Sequence, residues 1–164
     1  MINQALDAIR SSIPEGWEFT VSRPKKEWGI QADALLTIRG PDGASADVIV
    51  EVKRRVTPRQ AAETARALAK FVDKGQVAGA ILITEYLSEL AQKRLRAEGI
   101  NFVDLTGNRW IALERPGFLL QTSGANQDPS PPRRSIRTLK GAKAARIVRA
   151  LCDRTPPFKV RELA

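Results

Sequence analysis

The hydrophobic and polar positions of this chain fall into short blocks of two periods. Residues 2 to 10 place Ile2, Leu6 and Ile9 on one side of a predicted helix, and "WEFTVS" (17 to 22) reads as a strand after it. The next stretch, "ADALLTIRG-PDG-ASADVIVEVKRR", is two alternating runs around Pro41, Asp42 and Gly43, residues whose backbone preferences suit a hairpin reversal. "TPRQAAETARALAKFVDKG" (57 to 75) predicts a helix with Thr57 as N-cap, Pro58 at the first helical position and Gln60 in capping-box register. Its stripe of Ala61, Ala65, Leu68, Ala69 and Val72 is built mostly from small side chains, which let a helix lie close on a sheet. "VAGAILIT" (77 to 84) is a continuous apolar run, as expected of a strand covered on both faces. A helix over 88 to 99, with Leu90, Ala91 and Leu95 inward, precedes three further strands at "INFVDL", "RWIAL" and "GFLLQT". The order predicts an α/β layer arrangement with a mixed sheet flanked by helices.

The pattern then stops. "SGANQDPSPPRR" (123 to 134) has almost no large apolar residue and predicts a linker, dividing the chain into a domain over 1–122, a linker over 123–135 and a segment over 136–164. In that last segment a helix is expected over roughly 139 to 152, with Leu139, Ile147, Val148 and Leu151 as its apolar positions, and a second helix begins at "KVRELA".

Charge sharpens this division. The net charge of +9 splits into 17 minus 15 over residues 1–124 and 10 minus 3 over residues 125–164. A basic terminal segment suits a polyanion, with nucleic acid the leading candidate, although a solubilising tail has the same composition. The apolar runs are too short to span a membrane, and the first residues lack a signal-peptide pattern, so a cytoplasmic protein is expected. One cysteine and no histidine exclude most zinc sites and every mechanism that needs an imidazole base. Any metal must be held by oxygen, which favours Mg2+ or Mn2+.

The candidate chemistry lies in "DVIVEVKRR" (47 to 55). Alternation turns Val48, Val50 and Val52 to one face and Ile49, Glu51 and Lys53 to the other. A hairpin that pairs the end of this run with the start of the preceding one brings Asp33 beside Glu51 and Lys53. Asp33, Glu51 and the backbone carbonyl of Val52 then form a donor set for a hard cation, with Lys53 placed to orient a water or to stabilise charge on a phosphate. An ordinary ion pair between Asp33 and Lys53 at a strand edge, with Glu51 solvated, accounts for the same residues.

Asp33, Glu51-Val52-Lys53 and Gln60 on the following helix together resemble the PD-(D/E)xK nuclease superfamily, over roughly residues 1 to 105. The resemblance implies a restriction-endonuclease-like core of a helix, a three-strand meander, a helix and a further strand. It also implies metal binding by Asp33 and Glu51, catalysis by Lys53 and a supporting role for Gln60. Ala32 stands where many members carry proline, and Asp7, Glu15 and Glu18 are the acids near the first helix available as a further ligand. The Thr57-x-x-Gln60 capping box explains Gln60 on its own. Asp104 and Asn108 of "DLTGNRW" read as turn residues, and Trp28 and Trp110 as partly buried core or as stacking platforms for bases.

The tail resembles the start of a winged helix-turn-helix domain, with Lys140, Lys143, Arg146 and Arg149 as candidate phosphate contacts. Two functions fit: a metal-dependent DNA endonuclease with an appended DNA-binding segment, or a nuclease-like DNA-binding regulator without catalysis, similar to antitoxin regulators. A homodimer suits an enzyme that cuts both strands of a duplex.

Overall fold

The structure is a computed structural model, and the residues it describes are 1–24, 32–131 and 141–153. They divide into two units, Met1–Pro129 and Ser130–Ala164.

In the first unit the order is α1 (Ile2–Arg10), β1 (Glu18–Ser22), β2 (Ala34–Arg39), β3 (Ser45–Val52), α2 (Pro58–Asp73), β4 (Gly79–Thr84), α3 (Glu89–Ala97), β5 (Asn101–Asp104), β6 (Arg109–Leu113) and β7 (Phe118–Thr122). The seven strands form one sheet in sequence order. β3, β4 and β5 are parallel and all other neighbours antiparallel, so the sheet is mixed. Each parallel step needs a long crossover, supplied by α2 and α3. Right-handed crossovers put both helices on the same face, where they cover Leu35, Ile49, Ala80, Leu82 and Phe102. The opposite face wraps around α1, whose Ala5, Leu6 and Ile9 meet Leu36, Val48, Val50, Ile81 and Ile83. That face curls strongly enough for the two outer strands to share a core: the ring of Phe118 lies 4.7 Å from Trp17 and 5.7 Å from Phe19.

Local chemistry sets these elements. In the β2–β3 turn Gly43 N donates to Gly40 O at 3.0 Å, Asp42 Oδ1 accepts from Ala44 N at 3.0 Å, and Gly43 has φ of +81°. A residue with a Cβ adopts that conformation only at a cost. α2 starts with a complete capping box between Thr57 and Gln60. β4 is buried along its whole length, as its unbroken apolar run requires. Leu90 departs from expectation, since it is 52% exposed. α3 has only nine residues, and Leu87, Ala91 and Leu95 already fill the side that meets the sheet, which leaves Leu90 on the flank. Trp110 packs against the α2/α3 side of the core with the Arg96 guanidinium 4.2 Å from its ring centroid, a cation–π contact. Trp28 lies outside the described residues.

The second unit contains α4 (Ala142–Asp153). Its Val148 and Leu151 are 39% and 45% exposed. Leu139, the side chain of Ile147 and the expected helix at 159–164 lie outside the described part. Among the described residues no helix is long and apolar enough to cross a membrane.

Candidate metal and nucleic-acid site

The β2–β3 register determines where the acids fall. Ala34 pairs with Val50, the last rung of the regular register between the two strands. Beyond that rung the regular ladder ends. Asp33 N donates to Val50 O at 3.0 Å, and Val52 N, which has no strand acceptor left, donates to Asp33 Oδ2 at 2.7 Å. The carboxylate thus stands in for a backbone carbonyl at the end of the sheet. A strand residue's N–H and C=O point to the same side, so the Val52 carbonyl is turned toward β2 as well. Asp33 is exposed and, with Val52, Met1, Ile2 and Asn3, lines an open cavity of about 440 Å³.

Glu51 and Lys53 form an ion pair, Nζ to Oε1 at 2.9 Å, with side chains 22% and 38% exposed. Lys53 N donates to Ile83 O at 2.9 Å, which continues the parallel pairing with β4 and fixes the backbone under both side chains. The structure therefore ties Asp33 to the Val52 backbone and joins Glu51 to Lys53, and neither Glu51 nor Lys53 lines the cavity that Asp33 lines.

Gln60 is engaged elsewhere. Its Oε1 accepts from Thr57 N and from Thr57 Oγ1, each at 3.0 Å, so the oxygen is used at the helix start. Asp7 pairs with Arg10 at 3.8 Å, and among the described residues no group of three or more His, Cys, Asp or Glu side chains is arranged to hold a metal ion. Neither Asp7 nor Glu15 nor Glu18 therefore completes a three-acid cluster with Asp33 and Glu51. On α4, Arg146 and Arg149 are exposed. Lys140 and the side chain of Lys143 lie outside the described part.

Three features of this end of the sheet escaped the sequence. The first is the pair of cations that directly follows Lys53. Arg54 Nε meets Glu85 Oε1 at 2.8 Å, and Arg55 meets Asp128 at 2.7 Å and Glu85 at 3.7 Å. The run Lys53-Arg54-Arg55 was the available signal. The second is how fully Asp104, read from the sequence as a turn residue, is engaged: it is buried and accepts five hydrogen bonds, from Leu87 N, Thr106 N, Thr106 Oγ1, Asn108 N and Asn108 Nδ2, at 2.7 to 3.0 Å. It organises the β5–β6 turn. The third is the segment Gly124–Asp128. Asn108 Oδ1 accepts from Gly124 N at 2.8 Å and Asn108 Nδ2 donates to Ala125 O at 3.0 Å. Tyr86 donates its hydroxyl to Asn126 O at 2.9 Å. Burial first, then the charges of Asp104 and Asp128, push that hydroxyl above its ordinary range and keep it protonated. These residues, expected within a linker, are fastened to the first unit.

The order helix, three-strand meander, helix, strand over α1 to β4 is consistent with an α/β nuclease-like fold. A solved structure, that of EndoMS in apo form, is similar to this chain at 21% identity, covering 63% of this chain and 44% of that one, with a TM-score of 0.35. The similarity thus spans less than half of the length of EndoMS. No protein-family model matches the chain, and no curated protein matches it.

Proposed function

We propose that the chain is a metal-dependent DNA endonuclease whose site is Asp33, Glu51, the Val52 carbonyl and Lys53. The observation that carries this reading is the 2.7 Å bond from Val52 N to Asp33, which holds one carboxylate against the strand segment bearing the other carboxylate and the lysine. The donor set suits a hard cation. Asp33 Oδ2 and Glu51 Oε1 are engaged, while each carboxylate has a second oxygen, and the Val52 carbonyl faces the Asp33 side of β3. Asp33, Glu51 and Val52 would hold Mg2+ or Mn2+, which when bound polarises a phosphate and lowers the pKa of a bound water. Lys53, held by Glu51, supplies positive charge beside a phosphate oxygen as negative charge develops there.

A second reading, a DNA-binding regulator without catalysis, is favoured by one observation: the Gln60 oxygen is spent on the helix cap. Cleavage of duplex DNA with Mg2+ or Mn2+ separates the two. The nuclease reading expects cutting by the wild type and a loss of about 100-fold or more in Lys53→Ala with DNA binding retained. Absence of cutting with either metal, together with a footprint at one specific operator, establishes the regulator instead.

A further inference from the structure

The segment Gly124–Asp128 lies against the turn and loop that follow the parallel strands β5 and β4. A Cβ on Gly124 would sit 2.2 Å from Thr106 O and 2.6 Å from Asn108 N, both backbone atoms, so the chain passes as close to the β5–β6 turn as glycine permits. Asn108 and Tyr86 hold it along its length. It then delivers the Asp128 carboxylate to Arg55 at 2.7 Å, two residues beyond Lys53.

The charges at this strand end are closely balanced. Lys53 is paired with Glu51, Arg54 with Glu85, and Arg55 with both Glu85 and Asp128. A polyanion approaching here meets cations that already have carboxylate partners, so at least one acid must give way before a phosphate can take its place. Glu85 is fixed by the fold, since Glu85 N donates to Arg54 O at 3.2 Å directly after β4. Asp128 sits on an irregular segment, next to the boundary between the two units, and its contact with Arg55 is partly open to solvent, with side chains 23% and 39% exposed. Asp128 is the acid that can be exchanged.

We propose that Arg55 is a phosphate-binding residue of the strand end and that Asp128 is an internal anion occupying its phosphate position, so that a phosphodiester backbone and the Asp128 carboxylate compete for one guanidinium. The proposal rests on reading this strand end as a nucleic-acid site, but it does not require that site to cut. The planar guanidinium suits both ligands, because a carboxylate and a phosphate each present two oxygens to it.

The test is binding of a short DNA duplex to the full chain without divalent metal, followed by fluorescence anisotropy over a range of salt. Asp128→Asn is expected to bind about three- to fivefold tighter at low salt, the scale of one partly exposed ion pair. Its slope of log affinity against log salt is expected to be steeper by about one, for one more phosphate neutralised. Arg55→Gln should weaken binding and abolish the gain, so that the double variant matches Arg55→Gln alone. The proposal is overturned by an affinity and slope unchanged in Asp128→Asn, by a gain that persists in full without Arg55, or by a chain that binds no DNA. Hydrogen exchange in the wild type reads the segment without any substitution: faster exchange around Asn126–Asp128 on adding DNA is expected, and unchanged exchange overturns the proposal. Absence of metal-dependent cutting alongside an Arg55-dependent Asp128 effect removes the nuclease reading and keeps this one. Intact cutting without that effect does the reverse.

Discussion

Asp104 and the pair Asp33 and Glu51 lie near the same end of the sheet, and their carboxylates are used in opposite ways. Asp104 is 1% exposed and accepts five hydrogen bonds from the turn that follows it. Its capacity is exhausted, and its charge is met by oriented donors rather than by a cation. Asp33 and Glu51 are more open. One is exposed with a hydrogen bond to the backbone, and the other is half-buried with an ion pair to Lys53. Saturation thus marks Asp104 as architectural, whereas Asp33 and Glu51 each have a second carboxylate oxygen beyond these bonds, which the proposed cation site would use.

The sharpest way to break this contrast is to remove the Asp104 carboxylate and the Asp33 carboxylate in turn and compare stability with cleavage. Asp104→Ala orphans the amides of Leu87 and Asn108 in a buried turn and should cost about 4 kcal/mol in urea unfolding. A loss below about 1 kcal/mol would show that the turn stands without it. Asp33→Asn keeps an oxygen to accept from Val52 N, so unfolding should shift by less than about 1 kcal/mol, while metal-dependent cutting falls about 100-fold or more. Equal losses of stability in the two variants would erase the distinction.

Smaller effects sharpen the comparison. Gly124→Ala drives a methyl group into the backbone of the β5–β6 turn and should cost about 2 kcal/mol, measured by thermal or urea unfolding. Gln60→Ala should cost about 0.5 to 1 kcal/mol as a lost cap partner and leave cutting unchanged. A large loss of cutting in Gln60→Ala at unchanged stability would assign Gln60 to the site rather than to the cap.

The hairpin register that carries Glu51 and Lys53 was legible in the sequence because its determinants are local. Alternation in "DVIVEVKRR" fixes the faces, Pro41-Asp42-Gly43 fixes the turn, and the two together fix a register in which Ala34 meets Val50. The capping box of α2 was legible for the same reason, since Thr57 and Gln60 are three residues apart. The long-range bonds of Asp104 and Asn108 were not. "DLTGN" shows a turn, but the donation of Leu87 N to Asp104 and of Gly124 N to Asn108 joins residues 17 and 16 positions apart through loops with no periodicity. The composition of residues 123–134 predicts a linker and carries no sign of the bonds from Asn108 and Tyr86 to Gly124, Ala125 and Asn126. Leu90 shows a milder version of this limit: apolar character places a residue near a core, and only the rotation of a short helix decides whether it enters.

Binding of Mn2+ to the full chain, followed by electron paramagnetic resonance in the wild type, Asp33→Asn and Glu51→Gln, tests the central claim most directly. The account predicts a bound ion in the wild type and an affinity lower by about tenfold or more in each variant, as expected when a ligand of a two-carboxylate site is neutralised. No binding by the wild type, or binding that neither substitution weakens, would contradict it.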